Sequence, residues 1–186
     1  MTGTGAELDV VDELMSDHRE VASLLDRIGT TTDPAEKRDL ADTAITELVR
    51  HAVAEEMYVY PAMRENLPDG EEVVEHDTEE HKELEQTMKE LEGVDAEDPR
   101  FEQLVGELRS RLRHHVEDEE TEQFPKLRVR LPLEKRVELR EKVEKAKKAA
   151  PTRPHPGAPN TQLFHKLVGP GVGLVDRARD KLSGRS

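Results

Sequence analysis

Two stretches of the chain pair a histidine with a glutamate four residues later: HAVAEEMYVYP, from His51 to Pro61, and HVEDEETEQFP, from His115 to Pro125. Both read His-x-x-x-Glu-Glu, then three residues, an aromatic ring and a proline. On a helix, residues four apart stack on one face, so His51 with Glu55, and His115 with Glu119, can converge on one ion or span two. Two further histidines stand at matching distances. His18 precedes His81 by 63 residues, and His51 precedes His115 by 64. Asp33-Pro34 precedes Asp98-Pro99 by 65. The repeated unit is therefore a helical hairpin with His on its first helix and His-x-x-x-Glu on its second. Either segment alone would read as a surface ion pair. Together they give four imidazoles and two carboxylates, too many for one tetrahedral zinc and suited to a borderline ion such as iron. Two metals bridged by the two glutamates is the economical arrangement.

The elements that must position these groups are helical. Apolar residues recur at spacings of three and four in four stripes, the mark of one buried helix face. The first stripe is Leu8, Val11, Met15, His18, Ala22, Leu25, and the second is Ala44, Leu48, His51, Glu55, Tyr58, Ala62. The third is Val74, Asp77, His81, Leu84, Met88, Leu91, and the fourth is Leu104, Leu108, Leu112, His115, Glu119, Glu122. Asp33-Pro34 and Asp98-Pro99 mark helix starts, Gly29 and Gly93 mark stops, and Pro68-Asp69-Gly70 marks a turn. Short connections between such helices predict an all-α, antiparallel up-down-up-down four-helix bundle over residues 1–132. A charged helix is expected over 133–150, and a Pro/Gly-rich, basic, mobile or loosely docked tail over 151–186. Burying two carboxylates where a bundle wants leucine is costly without a partner, and a metal supplies one.

Composition narrows the class. The chain has 186 residues, a net charge of −14 and no cysteine, which excludes disulfides and thiolate metal sites. From Leu133 onward there are 13 Lys/Arg against 6 Asp/Glu, so a basic tail follows a body of net charge −21. Nucleic acid and anionic membranes are therefore unexpected partners. No apolar run approaches the roughly 20 residues of a membrane span, and nothing near Met1 reads as a signal region. The expected location is cytoplasmic.

The set His18, His51-x-x-x-Glu55, His81, His115-x-x-x-Glu119 resembles the H–HxxxE–H–HxxxE pattern of the haemerythrin-like (HHE cation-binding) family, over about Leu8 to Lys126. The resemblance implies a non-haem centre of two Fe ions, carboxylate-bridged and oxo- or hydroxo-bridged, held by those six residues. It implies a small ligand (oxygen, peroxide or nitric oxide), bound or processed in oxidative-stress defence; the alternative is an iron- or oxygen-responsive sensor without turnover. Ferritin-like di-iron proteins need Glu-x-x-His pairs, whereas Met15, Leu48, Thr78 and Leu112 stand three residues before the histidines. Oxygen-carrying haemerythrins have a further His where this chain has Asp77, and a longer His-to-Asp spacing in the last helix. That departure disfavours reversible oxygen carriage.

Two more residues are expected at the metals. Asp77 lies one turn before His81, within reach of the ion that His81 binds, and Tyr58 lies one turn beyond Glu55. Tyr60 and Phe124, with Pro61 and Pro125, are expected to pack the open end of the cluster, each proline bending its helix. His76 and His114 read as solvated neighbours.

Overall fold

A computed structural model describes residues 7–154. The helices are α1 (Val10–Ile28), α2 (Pro34–Ala54), α3 (Tyr60–Asn66), α4 (Gly70–Glu92), α5 (Pro99–Asp118), α6 (Phe124–Arg130) and α7 (Leu133–Ala149). A single π-turn, Glu55–Val59, joins α2 to α3, and another, Glu119–Gln123, joins α5 to α6. The result is five continuous helices, with no strand among the described residues.

The local causes are visible at the ends. Asp9 caps α1 through a reciprocal capping box with Asp12, and Asp33 and Asp98 cap α2 and α5 with proline in the first turn. Gly70 starts α4 where a Cβ would lie 2.3 Å from the Met63 carbonyl oxygen, so only glycine fits there. Exposed helix ends from one hairpin are closed by arginines of the other. Arg38 of α2 donates to the carbonyls of Leu91 and Val94 at the end of α4, at 3.0 and 3.2 Å. Arg109 of α5 donates to the Leu25 carbonyl near the end of α1. Arg128 of α6 meets Asp12, in the first turn of α1, at 2.6 Å.

The third stripe is buried as expected at every position. The others shift. On α1 the buried face is Val11, Leu14, His18, Val21, Leu25 and Ile28, whereas Leu8 is 54% exposed and Ala22 is exposed. The cap at Asp9 starts the helix after Leu8, and the larger Val21 takes the inward place beside His18. On α2 and α5 the stripes hold as far as Glu55 and Glu119, then slip. Beyond them Tyr60 and Met63 are buried on one helix, Gln123 and Phe124 on the other, and Glu122 is exposed. The π-turns cause the slip. The amide of Tyr60 bonds to the Glu55 carbonyl and that of Phe124 to the Glu119 carbonyl, so the residue five on, not four, returns beneath each glutamate. The prolines explain the widening, because Pro61 and Pro125 would each collide with the carbonyl four residues earlier in a regular α-turn.

The basic α7 lies along the acidic flank of α1 and α2, burying Leu139, Val143 and Ala146. Arg136 pairs with Asp9 at 2.6 Å, and Lys147 reaches Glu13 at 3.0 Å and Asp17 at 2.6 Å. The expected loose tail does not begin at Pro151. Pro151, Thr152 and Pro154 are buried, Thr46 donates to the Thr152 carbonyl at 3.2 Å, and Arg153 pairs with Glu92 at 2.7 Å. The rest of that expectation, residues 155–186, lies outside the described residues. No helix among the described residues is long and apolar enough to cross a membrane.

Candidate metal centre

His18, His51, Glu55, His81, His115 and Glu119 converge in the core, each at most 4% exposed. They form two facing imidazole pairs. His18 Nε2 lies 3.2 Å from His51 Nε2, and His81 Nε2 lies 3.2 Å from His115 Nε2. Each glutamate stands between the pairs. One Glu55 oxygen is 3.1 Å from His51 Nε2 and 3.4 Å from His81 Nε2, while one Glu119 oxygen is 3.3 Å from His18 Nε2 and 3.6 Å from His115 Nε2.

The outward nitrogens define the protonation pattern. His51 Nδ1 meets Asp17 at 3.2 Å, His81 Nδ1 meets Glu56 at 3.0 Å, His115 Nδ1 meets Glu80 at 2.9 Å, and His18 Nδ1 meets Glu120 at 2.8 Å. An ionised carboxylate only accepts, so each Nδ1 donates and each neutral ring presents a lone pair at Nε2. The four contacts close a ring: α1 holds the histidine of α2, the turn after α2 holds that of α4, α4 holds that of α5, and the turn after α5 holds that of α1. None of these four carboxylates was anticipated. Their signal was the doublets Asp17-His18, Glu55-Glu56, Glu80-His81 and Glu119-Glu120, in which one residue faces inward and its neighbour serves the next helix.

The donor set fits metal ions. Both oxygens of Glu55 and both of Glu119 are buried without a hydrogen-bond partner among the described residues. Facing Nε2 lone pairs repel unless a proton or a cation lies between them. Donor separations of 3.1 to 3.6 Å match the edge of a coordination shell with bonds of about 2.1 Å, which is roughly 3.0–3.4 Å. Two groups that could each hold an ion follow: His18, His51, Glu55 and Glu119, and Glu55, His81 and His115.

Without an ion, protons take its place. Burial works against a charged His51, but the charge of Glu55 and the hydrogen bond and charge of Asp17 prevail and lift its pKa to about 10. Burial is likewise overcome at His81 by Glu55 and Glu56, and at His115 by Glu119 and Glu80, so both rise. Burial pushes Glu55 up, yet His51 and His81 hold it well below the usual carboxylate range. The sign follows. Stability that the metal-free protein draws from these protonated rings is present below the unfolded value of about 6.5 and is lost as pH rises through the raised folded values. Metal needs the rings deprotonated, so ion binding tightens over the same range. The gap in melting temperature between iron-loaded and iron-free protein is therefore expected to widen from pH 6.5 to 8.5. Calorimetry of both forms at three pH values checks this, and a constant gap would show that no protons leave on binding.

The two aromatics after the π-turns serve opposite pairs. The Tyr60 ring stacks on His81 with its hydroxyl 3.0 Å from Nε2, and the Phe124 ring stacks on His18 at 6.0 Å between centroids. Tyr58 is half-buried against the apolar core, and Tyr60, brought round by the five-residue turn, stands at the imidazoles. Burial, with the charges of Glu55 and Glu119, keeps the Tyr60 hydroxyl protonated. Asp77 is fully buried, accepts from the Gln123 amide at 2.9 Å, and groups with Glu80 and His115, the partner of His81. His76 and His114 lie on the surface, beside Glu80.

A helical bundle whose core holds two His-x-x-x-Glu pairs and two further histidines has the donor groups to hold cations. The family model of the hemerythrin HHE cation binding domain matches residues 9–127, and the chain belongs to that family. Membership implies bound iron. The chain is 29% identical over 174 residues to an uncharacterized hemerythrin-like protein of Schizosaccharomyces pombe, covering 93% of this chain and 86% of that one. It is 25% identical over 128 residues to a DNA nickase of Nostoc, covering 69% of this chain and 36% of the nickase. No solved structure matches.

Proposed function

We propose that the chain is a non-haem di-iron protein with an antiparallel up-down-up-down bundle, in which His18, His51, Glu55, His81, His115 and Glu119 hold two irons. The observation that carries this reading is the position of Glu55 and Glu119, each within 3.6 Å of an imidazole from both pairs and each otherwise without a hydrogen-bond partner. When bound, the irons supply redox chemistry toward small oxidants: oxygen, peroxide or nitric oxide.

The chain's own residues shape that chemistry. Asp17, Glu56, Glu80 and Glu120 hold the Nδ1 protons, fix the ring orientations and make each imidazole a stronger donor. A cavity of about 40 Å³ is lined by Leu48, Val49, Leu84, Met88 and Leu112 and by His51, His81 and His115. It has room for a diatomic molecule or peroxide. Its apolar wall favours a neutral ligand over a hydrated ion. The Tyr60 hydroxyl is a protonated donor at the His81 side of the core. These features favour processing of a small oxidant, as in oxidative-stress defence.

A sensor without turnover is the second reading, and one contact favours it. Lys147 of α7 holds both oxygens of Asp17, at 2.6 and 2.8 Å, and Asp17 in turn holds His51. Movement of α7 would therefore be felt at the metals.

Metal analysis of freshly purified protein is expected to give about two irons per chain, with absorption in the near ultraviolet. Addition of peroxide, or of nitric oxide to reduced protein, then separates the readings: repeated consumption supports an enzyme, and a single stoichiometric spectral change supports a sensor. Iron-free protein that takes up no iron would overturn both.

A further inference from the structure

The His-x-x-x-acid pattern recurs on an outward face. His76 and Glu80 on α4, and His114 and Asp118 on α5, are both four apart and face each other across the helix pair. His76 Nε2 lies 3.5 Å from a Glu80 oxygen and 3.7 Å from an Asp118 oxygen, and His114 Nε2 lies 3.8 Å from that same Glu80 oxygen. These separations are too long for hydrogen bonds. They lie near the roughly 3.4 Å edge of a tetrahedral shell with bonds of about 2.1 Å. His76, Glu80 and Asp118 each offer a donor atom within 4.8 Å of the others, and His114 stands beside Glu80 as a further imidazole donor. The carboxylates together neutralise a divalent ion.

We propose that His76, Glu80, His114 and Asp118 form a second, outer site for one divalent ion of borderline softness, such as zinc, cobalt or ferrous iron, coupled to the inner centre through Glu80. The link is that residue's other oxygen, which accepts from His115 Nδ1 at 2.9 Å. A cation on the outer oxygen drains charge from the carboxylate and weakens its hold on the Nδ1 proton. His115 then becomes a poorer donor to the inner ion, and the oxidised state is less favoured. The outer donor set stands by itself; the coupling rests on the di-iron reading.

The test uses full-length, untagged, iron-loaded protein and cobalt(II) as the probe. Equilibrium dialysis with metal analysis is expected to find one cobalt per chain beyond the iron. His76→Ala with His114→Ala should weaken that binding by more than about tenfold while leaving the iron in place. Cobalt should raise the reduction potential of the inner centre in the natural protein and leave it unmoved in the double variant. Absence of the extra cobalt, or its persistence in the variant, overturns the site. Cobalt binding without a change in potential overturns the coupling. If the protein carries no iron, the inner reading fails, and uptake of one cobalt fewer by the double variant still supports the outer site.

Discussion

Replacing His51 and His115 together by alanine should strip the protein of its metal, whereas replacing His18 and His51 together should leave one ion in place. The difference follows from how the imidazoles face each other. His51 and His115 belong to different pairs, so their loss leaves a single ring on each side, opposite carboxylates that are shared. Neither remaining set then closes a shell. His18 and His51 form one pair, and without them His81, His115, Glu55 and Glu119 still converge. The buried carboxylates amplify the effect. Glu55 and Glu119 have no exposure, and an uncompensated buried charge costs several kcal/mol. Loss of both ions with two imidazoles should cost on the order of 3–5 kcal/mol, a fall in melting temperature of roughly 10 °C. Metal analysis with calorimetry of the two double variants reads both effects. Full iron in the first variant would sink the ligand assignment. Loss of both ions in the second would show that the two half-sites bind as one unit.

How much of this was legible depends on where the helices stay regular. On α4, an uninterrupted helix, Val74, Asp77, His81, Leu84, Met88 and Leu91 follow a 100° period, and every one is buried. On α2 and α5 the same reading works up to the glutamates and fails just after them. Tyr58 and Glu122 obey the period of a regular helix, but the chain inserts one residue per turn there, and Tyr60 and Phe124 go inward. The repeated aromatic-proline pair, five and six residues after each glutamate, is the trace that the insertion leaves in the sequence. The outer carboxylates were hidden for another reason. An acid beside a ligand on a strongly acidic helix is indistinguishable from a solvated one until the neighbouring helix is placed. Burial of Thr152 and Pro154 was hidden likewise, since a proline-rich segment that docks and one that does not have the same composition.

Asp77 is where the two states of the protein should respond in opposite directions. Its side chain has no exposure, one oxygen accepts from Gln123, and the other has no hydrogen-bond partner among the described residues. Burial, then the charge of Glu119, raises its pKa to about 7 against the relief given by Gln123, His115 and His81. A raised carboxylate pKa destabilises the folded metal-free protein progressively from the unfolded value near pH 4 up to about 7. Asp77→Asn removes that penalty, so the iron-free variant should melt higher than the natural protein above pH 7. The gain is at most a few kcal/mol, less the cost of an amide N–H left where the free oxygen was. At pH 4 the gain should vanish. In the iron-loaded protein the carboxylate is wanted. An oxygen of Asp77 lies within 4.8 Å of a ring nitrogen of His115, so its charge would stand within about 9 Å of an ion held by that ring, where a unit charge at an effective dielectric near 20 is worth on the order of 2 kcal/mol. Its loss should raise the reduction potential by on the order of 100 mV and weaken iron retention. Asparagine is the informative replacement, because a histidine ring would have to be forced into a fully packed position. Thermal melts of both forms across pH 4 to 8, with a redox titration of the loaded protein, make the comparison. Equal changes in the two forms would mean that Asp77 serves packing alone and does not act on the metals.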